Sequence, residues 1–174
     1  MCIRDSPKII YFIGCNNVRV QDVTLRNSAY WTQDYEKCNG VIVRGVKVYS
    51  HANWNNDGLD IDSRNVVVSD CYIDCDDDAL CLKSDTDTPC ENVTVTNCVL
   101  KSNCNAIKFG TSSYSGFKNV TISNCTIDRA SEDHIRQWYK NYPWIGTKHK
   151  TVVAGIALES VDGGIIENVS ISDI

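Results

Sequence analysis

The sequence predicts an all-β chain wound as a right-handed, single-stranded parallel β-helix, and three observations carry that prediction. First, one short segment recurs: Asn17-Val-Arg-Val, Gly40-Val-Ile-Val, Asn65-Val-Val-Val, Asn92-Val-Thr-Val, Asn119-Val-Thr-Ile and Asn168-Val-Ser-Ile. The steps are 23, 25, 27, 27 and 49 residues, and the last fits one coil carrying an insertion of about 22 residues. Second, the apolar positions keep one phase in every repeat: 18, 20, 23, 25; 41, 43, 46, 48; 66, 68, 71, 73; 93, 95, 98, 100; 120, 122, 125, 127. Third, a further strand set follows the repeats: Leu59-Asp-Ile-Asp, Leu80-Cys-Leu-Lys, Ile107-Lys-Phe-Gly and Ile156-Ala-Leu-Glu.

Each element follows from this pattern. The first two apolar positions of a set alternate with polar residues, as in a half-buried strand. The phase then slips by one residue and alternation resumes, which marks a bend between two short strands. Val, Ile and Thr dominate, as strands prefer, and no helical period fits. A stacked α-solenoid or a β-sandwich accounts for neither the repeat nor the slip. The expectation is about six coils with several strands each, and in such a solenoid residues distant in sequence line up in columns on one surface.

Bulk properties narrow the function. The 174 residues suffice for one solenoid domain. A net charge of −5 disfavours an electrostatic nucleic-acid binder, and no apolar run reaches membrane-span length. Residues 1–6 fit no coil and read as a non-native scar or a disordered start. Residues 7–174 read as β-helix, an internal fragment of a longer catalytic domain, and no secretory leader is recognisable. Such ends would expose bare strand edges.

The ten cysteines invite a disulfide reading. Three of them, Cys71, Cys98 and Cys125, occupy the inward position held by Val23, Val46 and Ile174 in other coils. A stacked row of buried free thiols is the expectation there. Four Asn-x-Ser/Thr triplets begin at Asn92, Asn119, Asn124 and Asn168. Three of these sit at the repeat's own Asn position, where an asparagine at each bend can hydrogen-bond along the helix axis. That structural role is preferred to glycosylation.

Polar residues concentrate just before the second strand set, in Asn55-Asn56-Asp57-Gly58 and Asp76-Asp77-Asp78-Ala79. With coils in register, Asp57, Asp78 and Asn105 share a column, and Asp77 precedes it by one residue. Crowded carboxylates repel, and some then hold their protons to higher pH. Such a cluster suits glycoside hydrolysis, which needs one protonated carboxyl and one carboxylate. It would also suit a hard cation such as calcium, or a solvated acidic turn.

The run Asn55-Asn56-Asp57-Gly58-Leu59-Asp60, followed by Asp77-Asp78-Ala79-Leu80-Cys81-Leu82-Lys83-Ser84, resembles glycoside hydrolase family 28. That is the polygalacturonase and rhamnogalacturonan hydrolase family, built on a right-handed parallel β-helix. The stretch Val23-Thr-Leu-Arg-Asn-Ser-Ala-Tyr-Trp-Thr is similar to the family's coil before the site, and the likeness runs from Pro7 to Ile174. The resemblance implies Asp77 as general acid, with Asp57 and Asp78 holding and deprotonating the attacking water. It implies inversion in one step, which asks for acid and base about 6.5–9.5 Å apart. It also implies a pectic poly- or oligosaccharide substrate, no cofactor or metal, a monomer, and export to periplasm, cell surface or medium.

Two departures alter the expected substrate. Where polygalacturonases carry Gly-His-Gly, this chain has Cys104-Asn105-Ala106. Where they carry Arg-Ile-Lys to grip the galacturonate carboxylate, it has Ala157-Leu158-Glu159. The candidate substrate contacts on the coils are Asn55, Lys83, Asn105 and Lys108. Lys108 should point outward one coil past Cys81, where it either replaces the missing positive charge or simply pairs with an acid. Lys83 should point outward next to Asp62. The segment 133–150 interrupts the repeat with His134, Arg136, Trp138, Tyr139, Tyr142, Trp144 and His149, and Trp138 and Trp144 are the candidate sugar-stacking rings. Tyr30, Trp31, Tyr35 and Trp54 are expected across the cleft, and His51 near the site. Two other readings stay open: a calcium-dependent pectate-lyase-like enzyme with Lys83 or Lys108 as base, and a carbohydrate-binding β-helix without catalysis.

Overall fold

The computed structural model describes residues 7–132 and 153–174. Every regular element among them is a strand, and every strand pair is parallel. Each full coil contributes to three stacked faces. One face stacks β2 (Asn16–Gln21), the second half of β4 (Gln33–Arg44) and of β6 (Leu59–Ser69), β9 (Cys90–Thr96), β12 (Phe117–Ser123) and β15 (Ile166–Ser172). The next stacks β3 (Thr24–Arg26), β5 (Lys47–Ser50), β7 (Tyr72–Cys75), β10 (Val99–Ser102) and β13 (Thr126–Arg129). The third stacks β1 (Ile10–Ile13), the first halves of β4 and β6, β8 (Leu80–Ser84), β11 (Asn105–Ser113) and β14 (Ala154–Leu158). The predicted β-helix is the fold, and two members of the third face, Ile10-Tyr-Phe-Ile and Gln33-Asp-Tyr-Glu, join the four recognised in the sequence.

The phase slip is a bend with a left-handed residue. Asp22, Gly45, Asp70, Asn97, Asn124 and Asp173 all have positive φ, between 53° and 61°. The bend at the start of the first face is built alike, on Asn17, Gly40, Asn65, Asn92, Asn119 and Asn168. Only Gly, Asn and Asp enter this region cheaply, so the repeat keeps those types there. The amides also bond between coils. Nδ2 of Asn65 donates to Asn39 Oδ1 at 2.7 Å, because position 40 is glycine and its neighbour supplies the acceptor. Asn92 donates to Asn65, Asn119 to Asn92 and Asn168 to Asn119, at 2.8–3.0 Å.

The interior holds stacked rows of Val, Ile, Leu and Cys. Val41, Val43, Val46 and Val48 are fully buried, each worth about 1.5–3 kcal/mol relative to exposure. In the first described coil Val23 lies 38% exposed, with no other described coil stacked on its outer side. Cys71, Cys98 and Cys125 are buried and free, as expected. Each thiol donates to the carbonyl two residues back, at 3.2–3.3 Å, across the bend that separates them.

Candidate active site

The corner between the second and third faces departs from the repeat. Leu59 pairs with Leu80 and Leu80 with Ile107, so Asp57, Asp78 and Asn105 form the expected column. Backbone bonds fix it: Gly58 N donates to Asp78 O at 2.9 Å, and Ala79 N donates to Asn105 O at 3.0 Å. Glycine at 58 is a packing requirement, since a Cβ there would lie 2.2 Å from Ile73 Cγ2.

Side chains then lock the carboxylates. Asp78 Oδ1 accepts from Asn105 N at 3.2 Å and from its Nδ2 at 2.7 Å. Asp78 Oδ2 lies 3.3 Å from Lys108 Nζ. Asp77 Oδ1 accepts from Asp78 N at 3.0 Å. Asp77 N donates to Asn56 Oδ1 at 3.0 Å, and Asn56 Nδ2 donates to Ser50 O at 2.6 Å. Asn56 is fully buried and clamps the turn of one coil to the previous one. Asn55 takes φ of 51° beside it and is half-buried.

One donor atom each from Asp57, Asp78 and Cys81 lies within 4.8 Å of the others, and the same holds for Asp77, Asp78 and Cys104. Asp78 therefore stands between the other two acids. Both its oxygens already have partners, and a thiol flanks each triplet. Calcium takes six to eight oxygen ligands, and this donor set does not fit it.

Lys108 occupies the position next to Cys81 in register. Its Nζ is shared by Asp78 and, at 3.8 Å, Glu159 Oε2. Burial would lower the Lys108 ammonium, yet Asp78 and Glu159 outweigh it and hold it above its ordinary value. Of the two roles expected of Lys108, pairing with an acid is the one the geometry displays. Lys83 differs from expectation. It is buried and its Nζ lies 3.3 Å from Asp60 Oδ1 and 4.3 Å from the Trp31 ring centre. Asp62 instead accepts from Asp85 N at 3.0 Å and from Thr86 Oγ1 at 3.5 Å. The long lysine stem reaches back over the neighbouring strand to the deeper carboxyl, which has the greater need of a cation.

That deeper carboxyl was not singled out in the sequence. Burial, and then the charge of Asp57, push Asp60 far above the usual carboxylate range. Burial pushes Asp62 up to about 7 and Asp34 up more modestly, the latter opposed by its ion pair with Lys8. Their signal was the stack Asp34–Asp60 and Glu36–Asp62 on adjacent strands of one face.

Of the aromatic residues expected across the cleft, Trp31 stacks on Tyr30 at 4.9 Å and receives the ammonium groups of Lys8 and Lys83. Trp54 is 52% exposed. Tyr35 is not a cleft residue. It lies fully buried between Phe12 and Ile61 in register, and its hydroxyl donates to Gln33 Oε1 at 3.1 Å. In this part of the strand Tyr35 shares the inward phase of its register partners Phe12 and Ile61. Trp138, Trp144, His134 and His149 lie outside the described residues, as do residues 1–6. No helix among the described residues is long and apolar enough to cross a membrane.

A family model described as "Glycosyl hydrolases family 28" matches residues 2–169. Among curated relatives, a "Probable polygalacturonase" of Arabidopsis thaliana is 32% identical over 82 residues, which cover 46% of this chain and 18% of that protein. A second Arabidopsis thaliana polygalacturonase is 27% identical over 81 residues, covering 45% of this chain and 18% of its own length. The matched stretch is thus a small part of either relative.

Proposed function

From the premise that the chain belongs to glycosyl hydrolases family 28, we propose that it cleaves glycosidic bonds of a pectic polysaccharide by a single inverting displacement. The observation that carries this reading is the Asp77–Asp78 turn held one coil step from Asp57. Asp77 protonates the departing glycosidic oxygen. Asp57 and Asp78 orient a water and take its proton as it attacks the opposite face of the sugar. Asp77 and Asp78 have oxygens within 4.8 Å, closer than the window of about 6.5–9.5 Å for an inverting acid and base. In this reading the acid–base pair is Asp77 with Asp57, and Asp78, which approaches both, steadies the water between them. Asn55, Lys83 and Asn105 flank the bound sugar, with Trp138 and Trp144 as stacking rings.

The substrate follows from the charges. Lys108 is spent on Asp78 and Glu159, and Glu159 stands where the family places a cation. A rhamnogalacturonan or another branched pectic chain suits this corner better than a run of galacturonates. The setting is that of exported enzymes: periplasm, cell surface or medium. A lyase reading needs a neutral amine as base. Lys83 and Lys108 are both held above the ordinary lysine value, whatever burial subtracts, the wrong direction for such a base.

The test is incubation with homogalacturonan and with rhamnogalacturonan, with and without calcium, following reducing ends and ultraviolet absorbance. New reducing ends without absorbance, of inverted anomeric configuration, are expected, faster on rhamnogalacturonan. Calcium-dependent absorbance would make the enzyme a lyase, and binding without cleavage would leave a carbohydrate-binding β-helix.

A further inference from the structure

Behind the acid turn lies a second buried cluster that the proposed chemistry does not use. His51 follows β5 and is 7% exposed. Its Nε2 lies 3.1 Å from Asp74 Oδ1 and its Nδ1 lies 3.3 Å from Asp76 Oδ1. Both carboxyls are buried. Asn103 Nδ2 donates to Asp76 Oδ1 at 2.7 Å and to Glu132 O at 2.8 Å. Ser131 N donates to Asp74 Oδ1 at 2.9 Å. The cluster thus joins three successive coils and the two residues that lead into segment 133–152.

We propose that His51 is a positioning residue for the general acid: as an imidazolium it bridges Asp74 and Asp76, fixes the turn that carries Asp77, and ties that turn to Ser131 and Glu132. A neutral imidazole has one N–H and can satisfy only one carboxylate, whereas the cation donates from both nitrogens. Nδ1 makes a hydrogen-bond contact with Asp76, and Nε2 makes an ion-pair contact with Asp74 that lacks hydrogen-bond alignment; carboxylates at both nitrogens therefore favour the cation. Asp76 directly precedes Asp77, so its anchor sets where the acid's backbone runs. Misplacing an acid by about 1 Å can cost about 10²-fold in rate.

The surrounding charges agree. Burial alone would lower the imidazolium, but Asp74 and Asp76 raise it to about 9. Burial would raise Asp74, and its bond to His51 brings it below the usual range. Of the other charged groups on the packed strands, Lys101 is in register with Asp74 but pairs with Asp128 at 3.6 Å, and Arg26 lies over Tyr49. Neither replaces the histidine. A raised pKa fixes the sign: the stabilisation is complete below the unfolded value near 6.5 and is lost as pH rises through about 9.

The proposal rests on the hydrolase reading, and its test separates the two. His51→Gln, Asp76→Asn and Asp77→Asn are compared in the reducing-end assay across pH, with thermal melts, and the His51 ring is titrated by NMR in the unmutated protein. His51 should titrate near pH 9. His51→Gln should lower kcat about tenfold or more with KM nearly unchanged, and should lack the alkaline step near pH 9. Asp76→Asn should move that step to lower pH. A His51 ring titrating at its ordinary value overturns the proposal even if no variant folds. So does a folded His51→Gln with unchanged kcat and alkaline limb while Asp77→Asn is inactive. If Asp77→Asn cleaves normally, the hydrolase reading and the positioning role both fall.

Discussion

The solenoid has two kinds of corner, and they solve the same problem differently. At the corner that opens the first face, every coil supplies a left-handed residue, asparagine in all but the Gly40 coil, and the asparagine amides bond from coil to coil. At the corner between the second and third faces, no two coils supply the same part. There Asn56, Asp57, Asp77, Asp78, Asn103 and Asn105 hold one another in a single, non-repeating arrangement. Each corner turns the chain and satisfies its polar groups. The repeating one leaves nothing over. The other fastens backbone with neutral amides and gathers the buried carboxyls of Asp57, Asp77 and Asp78 at one place.

Mutations at the two corners should differ in kind. The largest loss is expected at Asp57: Asp57→Asn should cut cleavage by about 10²–10⁴-fold, the usual worth of a positioned acid or base, with little change in melting temperature. Lys108→Ala should come next. It strips Asp78 of its cation and should lower kcat about tenfold on charged and neutral substrates alike. A rise in KM confined to charged polymers would instead put Lys108 on the substrate.

Asn92→Ala should leave activity alone and cost about 1–2 kcal/mol, since it deletes two ladder bonds and forces alanine into a left-handed bend. Chemical denaturation would read this, and a loss of activity in a folded variant would blur the distinction between corners. Asp62 gives a pH signature. Its folded value is raised to about 7, so the folded state holds a proton the unfolded chain releases. Stability should fall as pH rises from about 4 to 7, and Asp62→Asn should flatten that slope. Cys98→Val should be the mildest change, because the position is inward and apolar in other coils and the thiol makes only weak bonds, to Thr96 O across the bend and to the neighbouring thiols of Cys71 and Cys125.

What the sequence disclosed divides along the same line. The strands, both bends, the asparagine ladder, the thiol row and the Asp57–Asp78–Asn105 column were all legible, because each is a repeated spacing. Asn56 and Asp60 were not, and His51 was legible only as a residue near the site, for their roles come from contacts between coils that do not repeat. Lys83 shows the reason most clearly. Register alone puts it beside Asp62, but four methylenes let the ammonium choose Asp60, and only burial decides between them. Tyr35 falls inside instead of across the cleft because it shares the inward phase of Phe12 and Ile61.

The most direct test is Asp77→Asn, assayed for new reducing ends on rhamnogalacturonan beside the unmutated protein, with a thermal melt of each. Cleavage by the unmutated protein that falls by about 10²-fold or more in the variant, with unchanged melting, is the predicted result. Equal cleavage by a folded Asp77→Asn would contradict the assignment of chemistry to this corner.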